Sequence, residues 1–203
     1  MKVICIGRNY AEHAKEFGNK VPEQPIFFCK PDTSVVTRNR PFFYPDFSND
    51  IQYETEIVLK ISRLGKHIEE RFASRYYQEL TIGIDLTARD LQKECKKNGR
   101  PWEIAKGFDD SAPLGEFVSK EDYPNLYDLN FSLTKNDKVV QQGNTKDLIF
   151  NFEQLIAYIS RFITLKIGDL IFTGTPAGVG PVNINDRLIG AIENQPLIDF
   201  RIK

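Results

Sequence analysis

The stretch that most constrains this chain is Tyr53-Glu54-Thr55-Glu56-Ile57, which runs on into the apolar residues Val58 and Leu59. The apolar run is rich in β-branched residues and is flanked by turn formers, with Asp46, Ser48, Asn49 and Asp50 before it and Gly65 after it, so it predicts a strand. Residues two apart in a strand share a face, which puts both carboxylates on one side. Like charges that close repel, and neither is stable at the edge of an apolar core without a neutralising partner. A shared divalent cation supplies that partner, and oxygen-only ligation suits a hard ion such as Mg²⁺, Mn²⁺ or Ca²⁺. An isolated Glu-x-Glu is ordinarily the wet face of a strand, so the pair has to be weighed against the rest of the chain.

A third acid strengthens it. Leu80 to Leu86 reads as a second buried strand, and Asp85 lies in it between Ile84 and Leu86. A charged aspartate there is costly unless it is paired or metal-bound, which makes it the natural companion of Glu54 and Glu56. Only two histidines exist, His13 and His67, so a multi-histidine zinc or iron site is excluded in practice and any metal must be held by carboxylates. Three cysteines without C-x-x-C spacing, no secretory leader and no long apolar span lead to the expectation of a reducing, cytoplasmic setting with no membrane partner. A formal charge of −1 and a pI near 6.2 give no electrostatic footprint for nucleic acid. With 203 residues, 41% of them hydrophobic, one compact domain over 1–203 is expected. Residues 1–45 form its N-terminal part.

In order, Lys2 to Cys5 predicts a short strand, and Tyr10 to Phe17 a short helix ended by Gly18-Asn19. His13 and Glu16, three apart, share a face of that helix, where a carboxylate can hold an imidazole in one tautomer, as a histidine base requires. A surface neighbour pair has the same spacing. The segment 13–25 is brief and bounded by Gly18, Pro22 and Pro25, as a closing lid would be. Ile26 to Cys29 and Ser34 to Thr37 predict strands, and Phe72, Ala73, Tyr76 and Leu80 give Glu69 to Leu80 a helical spacing. Thr87 and Asp90 suggest a capping box for a helix over Ala88 to Asn98 that ends at Gly99. Arg89 and Gln92 share a face there, which by spacing alone is ordinary solvated helix. Lys106, near the only tryptophan, is either a partly buried amine or an exposed loop lysine.

The second half is richer in strands. Leu129, Phe131 and Leu133 alternate, Asn136-Asp137 makes a hairpin turn, and Lys138 to Gln142 returns. An amphipathic helix over Phe152 to Phe162 precedes the strand Leu170 to Phe172. The loop Thr173-Gly174-Thr175-Pro176-Ala177-Gly178-Val179-Gly180-Pro181 lacks the Gly-Lys-Ser/Thr of a phosphate loop, leaving a carboxylate-binding loop or a plain tight turn. Strands over Arg187 to Ile192 and Pro196 to Ile202 close the chain. The class is mixed α/β (α+β) and β-rich.

Taken together, Gly7-Arg8-Asn9-Tyr10-Ala11-Glu12-His13, Tyr53-Glu54-Thr55-Glu56, Asp85-Leu86-Thr87-Ala88-Arg89-Asp90, Leu91-Gln92, Pro101-Trp102, Lys106-Gly107-Phe108-Asp109 and Thr173-Gly174-Thr175-Pro176 resemble the fumarylacetoacetate hydrolase family. The likeness is to its short acylpyruvase and oxaloacetate decarboxylase members and covers nearly the whole chain. It implies a β-roll with a few flanking helices, a homodimer, and Mg²⁺ or Mn²⁺ on Glu54, Glu56 and Asp85. It also implies a catalytic His13–Glu16 dyad on the lid, with Lys106 beside it, and a pocket contacted by Arg8, Arg89, Gln92 and Thr175. Arg89 and Thr175 would take the acidic end of a 2-oxo acid. Gln52 and Asp110 depart from the family pattern, at positions where a ring residue and a small hydroxyl residue are usual.

The activity so implied is acylpyruvate hydrolysis, or decarboxylation or tautomerisation of oxaloacetate, through a metal-held enolate. The alternatives are an isomerase/decarboxylase acting on longer unsaturated 2-oxo diacids, and a non-catalytic domain in which the cation is a staple.

Overall fold

The computed structural model describes every residue except Phe17 and Asn19; the side chain of Ala14 is likewise outside the description. The predicted helix end at Phe17 and half of the Gly18-Asn19 stop therefore lie outside the described residues. The helix itself spans Ala11–Glu16, and Gly18, at φ 64°, donates its N–H to Lys15 O at 2.9 Å. No described helix is long and apolar enough to cross a membrane.

A six-stranded sheet forms the frame, in the spatial order Ile26–Lys30, Val3–Gly7, Leu170–Phe172, Thr55–Ile61, Tyr77–Ile84 and Val118–Ser119. Val3–Gly7 runs parallel to Leu170–Phe172, and the other pairs are antiparallel. An antiparallel four-stranded sheet (Lys138–Asn144, Asn130–Lys135, Arg187–Ile192 and Gln195–Arg201) packs on it. The close approach is visible at Gly190, where a β-carbon would come 2.6 Å from Ile82 Cγ2. Between the sheets lies one apolar core that includes Ile57, Leu59, Ile82, Leu133, Leu188 and Phe200. The Phe152–Phe162 helix, started by an Asn151/Gln154 capping box, buries Phe152, Leu155, Ile156 and Ile159 in the same core. The Asn136-Asp137 turn has positive φ at both residues (50° and 63°), the backbone a two-residue hairpin needs.

Three sequence expectations change. Glu69 to Leu80 is helical only over Glu70–Ala73, followed by a 3-10 turn at Ser74–Tyr76; from Tyr77 onward it is strand. Pairing with the acidic strand decides this, for Glu79 faces Lys60 in register and its carboxylate meets Lys60 Nζ at 2.6 Å. Ser34 to Thr37 keeps only Val35–Val36 as strand, after a 3-10 turn at Asp32–Ser34. The capping box at Thr87 does not form: Thr87 and Ala88 are a two-residue strand, Thr87 Oγ1 donates to Asp85 O, and the helix begins at Arg89. Asp90 instead accepts from Ser48 Oγ and from the N–H groups of Asn49 and Leu91.

The acidic stretch is also not one continuous strand. Ile51–Tyr53 pairs with Thr87–Ala88 and Gly180–Pro181 in a small separate sheet, and Thr55–Ile61 joins the large one. Glu54 is the residue at which the chain changes sheets. The neighbouring chain turns the same corner at Asp85-Leu86, and the Asp85 N–H donates to Glu54 O at 2.8 Å across it. Asp85 thus sits just past the end of its strand rather than within it.

Gly83 faces Glu56 in register at this corner. A β-carbon there would lie 2.5 Å from Phe172 Cε1 and 2.6 Å from Val58 Cγ2. Gly83→Ala is therefore expected to destabilise the fold by about 1–3 kcal/mol through overpacking, read as a lower urea midpoint at unchanged slope.

Candidate active site

The corner gathers what the sequence scatters. Glu54, Glu56 and Asp85 are all buried, and each offers a carboxylate oxygen within 4.8 Å of the others. Three buried anions in such proximity require compensation. Lys106 Nζ donates to Glu54 Oε2 at 2.8 Å and to Asp85 Oδ2 at 2.7 Å. Arg89 donates to Glu54 Oε1 at 2.6 Å, and the Gly174 N–H donates to Glu56 Oε2 at 2.6 Å. Burial alone would raise the Glu54 carboxyl, but Lys106 and Arg89 outweigh it and hold Glu54 well below the usual carboxylate range. Glu56 has no ion pair among the described residues, and burial together with Asp85 and Glu54 pushes it well above that range. Burial disfavours the Lys106 ammonium, yet Asp85 and Glu54 reverse the balance and raise it, so Lys106 is charged.

Lys30 is a partner that the sequence reading passed over, because the predicted strand stopped one residue short at Cys29. It is 2% exposed, and its Nζ lies 2.8 Å from Asp85 Oδ1. The ammonium hydrogens are taken by the carbonyls of Leu86, Lys106 and Ser111 and by the Ser111 hydroxyl, so Asp85 Oδ1 has an ion-pair contact without an aligned hydrogen bond. An oxygen-only donor set, one carboxylate without a cation of its own and one carboxylate oxygen without a hydrogen bond together fit a hard divalent ion.

Glu54 and Glu56 open onto a cleft of about 40 Å³. Arg8, His13, Arg89, Gln92, Lys106 and Thr175 also line it, so eight of the ten site residues named from sequence meet on one cavity. Of the other two, Asp85 reaches the group through Lys106, and Glu16 through His13. Arg89 and Gln92 are not a solvated helix face: both are 4% exposed, and the guanidinium is held by Gln92 Oε1 at 2.8 Å and Gln52 Oε1 at 2.9 Å as well as by Glu54. Gln52, one of the departures from the family pattern, thus adds an acceptor that orients Arg89.

His13 Nδ1 lies 3.4 Å from Glu16 Oε2, at the outer limit of a hydrogen bond. Burial lowers its pKa against the pull of Glu54 and Glu16, so the ring is neutral at pH 7. The glycine loop does bind carboxylates, and those seen are the protein's own. Gly174 N holds Glu56, and Gly178 N lies 3.4 Å from Glu16 Oε2. Gly174 has φ 106° and would place a β-carbon 2.6 Å from Asn9 Cβ, so only glycine fits. Asn9 pins the loop by donating to Thr173 O at 2.8 Å and Phe150 O at 2.9 Å. Gln141, legible in sequence only as part of a hairpin strand, bonds Thr55 N–H and Thr175 Oγ1.

A β-rich fold whose sheet corner gathers carboxylates suited to a divalent ion, beside a cleft walled by cations, is the framework of an enzyme for small acids. Residues 2–197 match the family described as fumarylacetoacetate (FAA) hydrolase C-terminal, and the chain belongs to it. It is 39% identical to mouse (Mus musculus) mitochondrial oxaloacetate tautomerase FAHD1 over 201 residues, 99% of this chain and 91% of that protein. It is 40% identical to the mitochondrial oxaloacetate decarboxylase of Dictyostelium discoideum over 182 residues, 89% of this chain and 84% of that protein. Fumarylpyruvate hydrolase from Pseudomonas aeruginosa, crystallised with Mn²⁺ and pyruvate, superposes with a TM-score of 0.94 at 37% identity, covering all of this chain and 89% of that one.

Breaking a buried ion pair from one side typically costs about 3–5 kcal/mol. Lys30→Met should lower the stability of the metal-free protein by that order in urea unfolding, and added Mn²⁺ should recover part of the loss.

Proposed function

We propose that this protein is a divalent-metal-dependent enzyme acting on 2-oxo acids, cleaving a C–C bond in acylpyruvates or decarboxylating or tautomerising oxaloacetate. The observation that carries this reading is the buried Glu54–Glu56–Asp85 group facing a cleft that Arg8, Arg89 and Lys106 line. The family membership and the activities named for its relatives support it. When bound, a Mg²⁺ or Mn²⁺ ion held by those three carboxylates supplies Lewis acidity toward the oxo and carboxylate oxygens of a 2-oxo acid.

The chain's own residues do the rest. Arg89, fixed by three acceptors, presents its guanidinium to the substrate carboxylate without having to be ordered first. With Nδ1 turned to Glu16, His13 keeps its neutral-ring proton there and uses Nε2 as the basic nitrogen. In hydrolysis it takes a proton from water as the water adds to the distal carbonyl. The C–C bond then breaks, releasing a carboxylic acid and the enolate of pyruvate, which is protonated at carbon. Decarboxylation reaches the same enolate by loss of CO2, and tautomerisation only moves a proton. Lys106, charged and bonded to Glu54 and Asp85, serves as a fixed donor rather than a base. Closure of the segment 13–25 over the cleft belongs to this proposal, supported by the placement of His13 on the cleft wall. So does a homodimer, supported by the exposed rings of Phe43 and Phe47.

The test is a panel of 2-oxo acids with Mg²⁺ or Mn²⁺, following pyruvate release, CO2 release and enol absorbance separately. His13→Ala should reduce acylpyruvate hydrolysis by about 10²–10⁴-fold, the usual contribution of a general base, while Mn²⁺ affinity stays near wild type. Oxaloacetate decarboxylation, which needs no activated water, should fall less. Glu56→Gln should weaken Mn²⁺ binding and depress every activity together. A His13 variant that hydrolyses acylpyruvates at the wild-type rate removes the dyad from the mechanism.

A further inference from the structure

Gln141 lies in the Lys138–Asn144 strand, 2% exposed, on a sheet that contributes no residue to the cleft wall, so it acts on the cleft through its partners. Its Oε1 accepts from the Thr55 N–H at 3.0 Å. Its Nε2 donates to Pro176 O at 3.0 Å and to Thr175 Oγ1 at 2.9 Å. The two ends of an amide are nearly alike in shape, so partners must decide which is which. Here they do: a backbone N–H can only donate, and a carbonyl oxygen can only accept. The amide is therefore fixed at both ends by groups of unambiguous character, and its third contact has a single reading. The Thr175 oxygen receives a hydrogen, so the hydroxyl's own hydrogen must point elsewhere. It has no acceptor among the described residues, and Thr175 lines the cleft.

We propose that Gln141 is a positioning residue that commits the Thr175 hydroxyl to donate into the cleft, toward a carboxylate or oxo oxygen of the substrate. The inference rests on the 2-oxo acid reading and adds a rule of selectivity to it. A hydroxyl free to rotate accepts or donates as the ligand demands; one already accepting from Gln141 favours an anionic oxygen and disfavours a donor group such as an ammonium. The same amide holds the Thr55 N–H between Glu54 and Glu56. One side chain thereby sets the register of the carboxylate corner against the glycine loop.

The experiment titrates pyruvate into the Mn²⁺-loaded protein by calorimetry and measures kcat and KM with oxaloacetate. Wild type is compared with Gln141→Glu, Thr175→Val, Thr175→Ser and the Gln141→Glu/Thr175→Val double variant. Gln141→Glu keeps an acceptor for Thr55 but turns a second acceptor to Thr175, capturing its hydrogen. The pyruvate Kd and the oxaloacetate KM should each rise about tenfold, the scale of one hydrogen bond to a charged group, with kcat changed by less than about threefold. Thr175→Val should show a similar loss of affinity, and Thr175→Ser, which retains the donor, should stay near wild type. The double variant should lose no more than either single one, because both remove the same donor. Losses that add would mean that the new charge or a general distortion is responsible, and the proposal falls. An unchanged Kd and KM in Gln141→Glu would overturn it as well. If Gln141→Glu does not fold, Gln141→Met takes its place; the hydroxyl then regains its rotation and a loss of about threefold is expected, again absent in the Thr175→Val background. Wild-type protein that binds no pyruvate sinks the 2-oxo acid reading itself, before any variant is compared.

Discussion

Three carboxylates cannot share the interior of a protein unless the rest of the structure is arranged around their charge. Here that arrangement draws on distant parts of the chain. Lys30 comes from the second strand of the large sheet, Arg89 from the first turn of a helix, Lys106 from a short helix, and the Gly174 N–H from the loop after Phe172. Each makes its contact only if its own element is correctly placed, so the charge balance reports on the whole fold. The apolar core holds the sheets together, and the ionic cluster fixes how they meet at the corner where Glu54 and Asp85 leave their strands.

The imbalance within the cluster is informative. Glu54 is bonded by two cations and held ionised, while Glu56 receives only a backbone N–H and is pushed toward its neutral form. A structure selected for stability alone would have no reason to leave one acid so poorly served among better-served neighbours. A divalent ion would restore the balance at that point, and the oxygen ligands of the corner match its chemistry. Arg89 is similarly telling. A guanidinium held at once by Gln52, Gln92 and Glu54 is costly to assemble, and in the proposed function that fixed orientation would serve to meet a substrate anion.

Much of this was legible in the sequence, and the limits are physical. The Glu54–Glu56 spacing, the buried setting of Asp85 and the i, i+3 pair His13/Glu16 are local patterns, and local patterns survive in a one-dimensional reading. The Phe152–Phe162 helix and the Asn136-Asp137 hairpin were plain for the same reason. The spacing of Arg89 and Gln92 reads as solvated helix, and only the resemblance places that pair at the pocket. What failed was whatever tertiary pairing decided. Tyr77 to Leu80 carries helical spacing, but its partner strand at residues 55–61 claims it. The change of sheet at Glu54 has no signature in composition, because it depends on Thr87–Ala88 and Gly180–Pro181 arriving from elsewhere. Lys30 and Gln141 were missed because a lysine at a strand end and a glutamine within a hairpin are ordinary until their partners, 55 and 86 residues away in sequence, are known. The resemblance named the cleft residues as a set; the geometry shows what holds each of them in position.

The parallel pairing of Val3–Gly7 with Leu170–Phe172 carries a consequence for how the molecule is made. The Leu170–Phe172 strand lies between the first strand and the acidic strand, so it joins two parts of the large sheet that have no direct hydrogen bonds to each other. During synthesis the early strands can form hairpins, but the frame cannot close until nearly the whole chain has left the ribosome. Contacts of such long range form slowly, and the waiting strands present open edges. Gly174 and Thr175, the last site residues to emerge, follow directly on the strand that closes the sheet. The carboxylate pair of strands can meet early, but the Gly174 N–H that holds Glu56 and the Thr175 wall of the cleft arrive only as the fold itself is sealed.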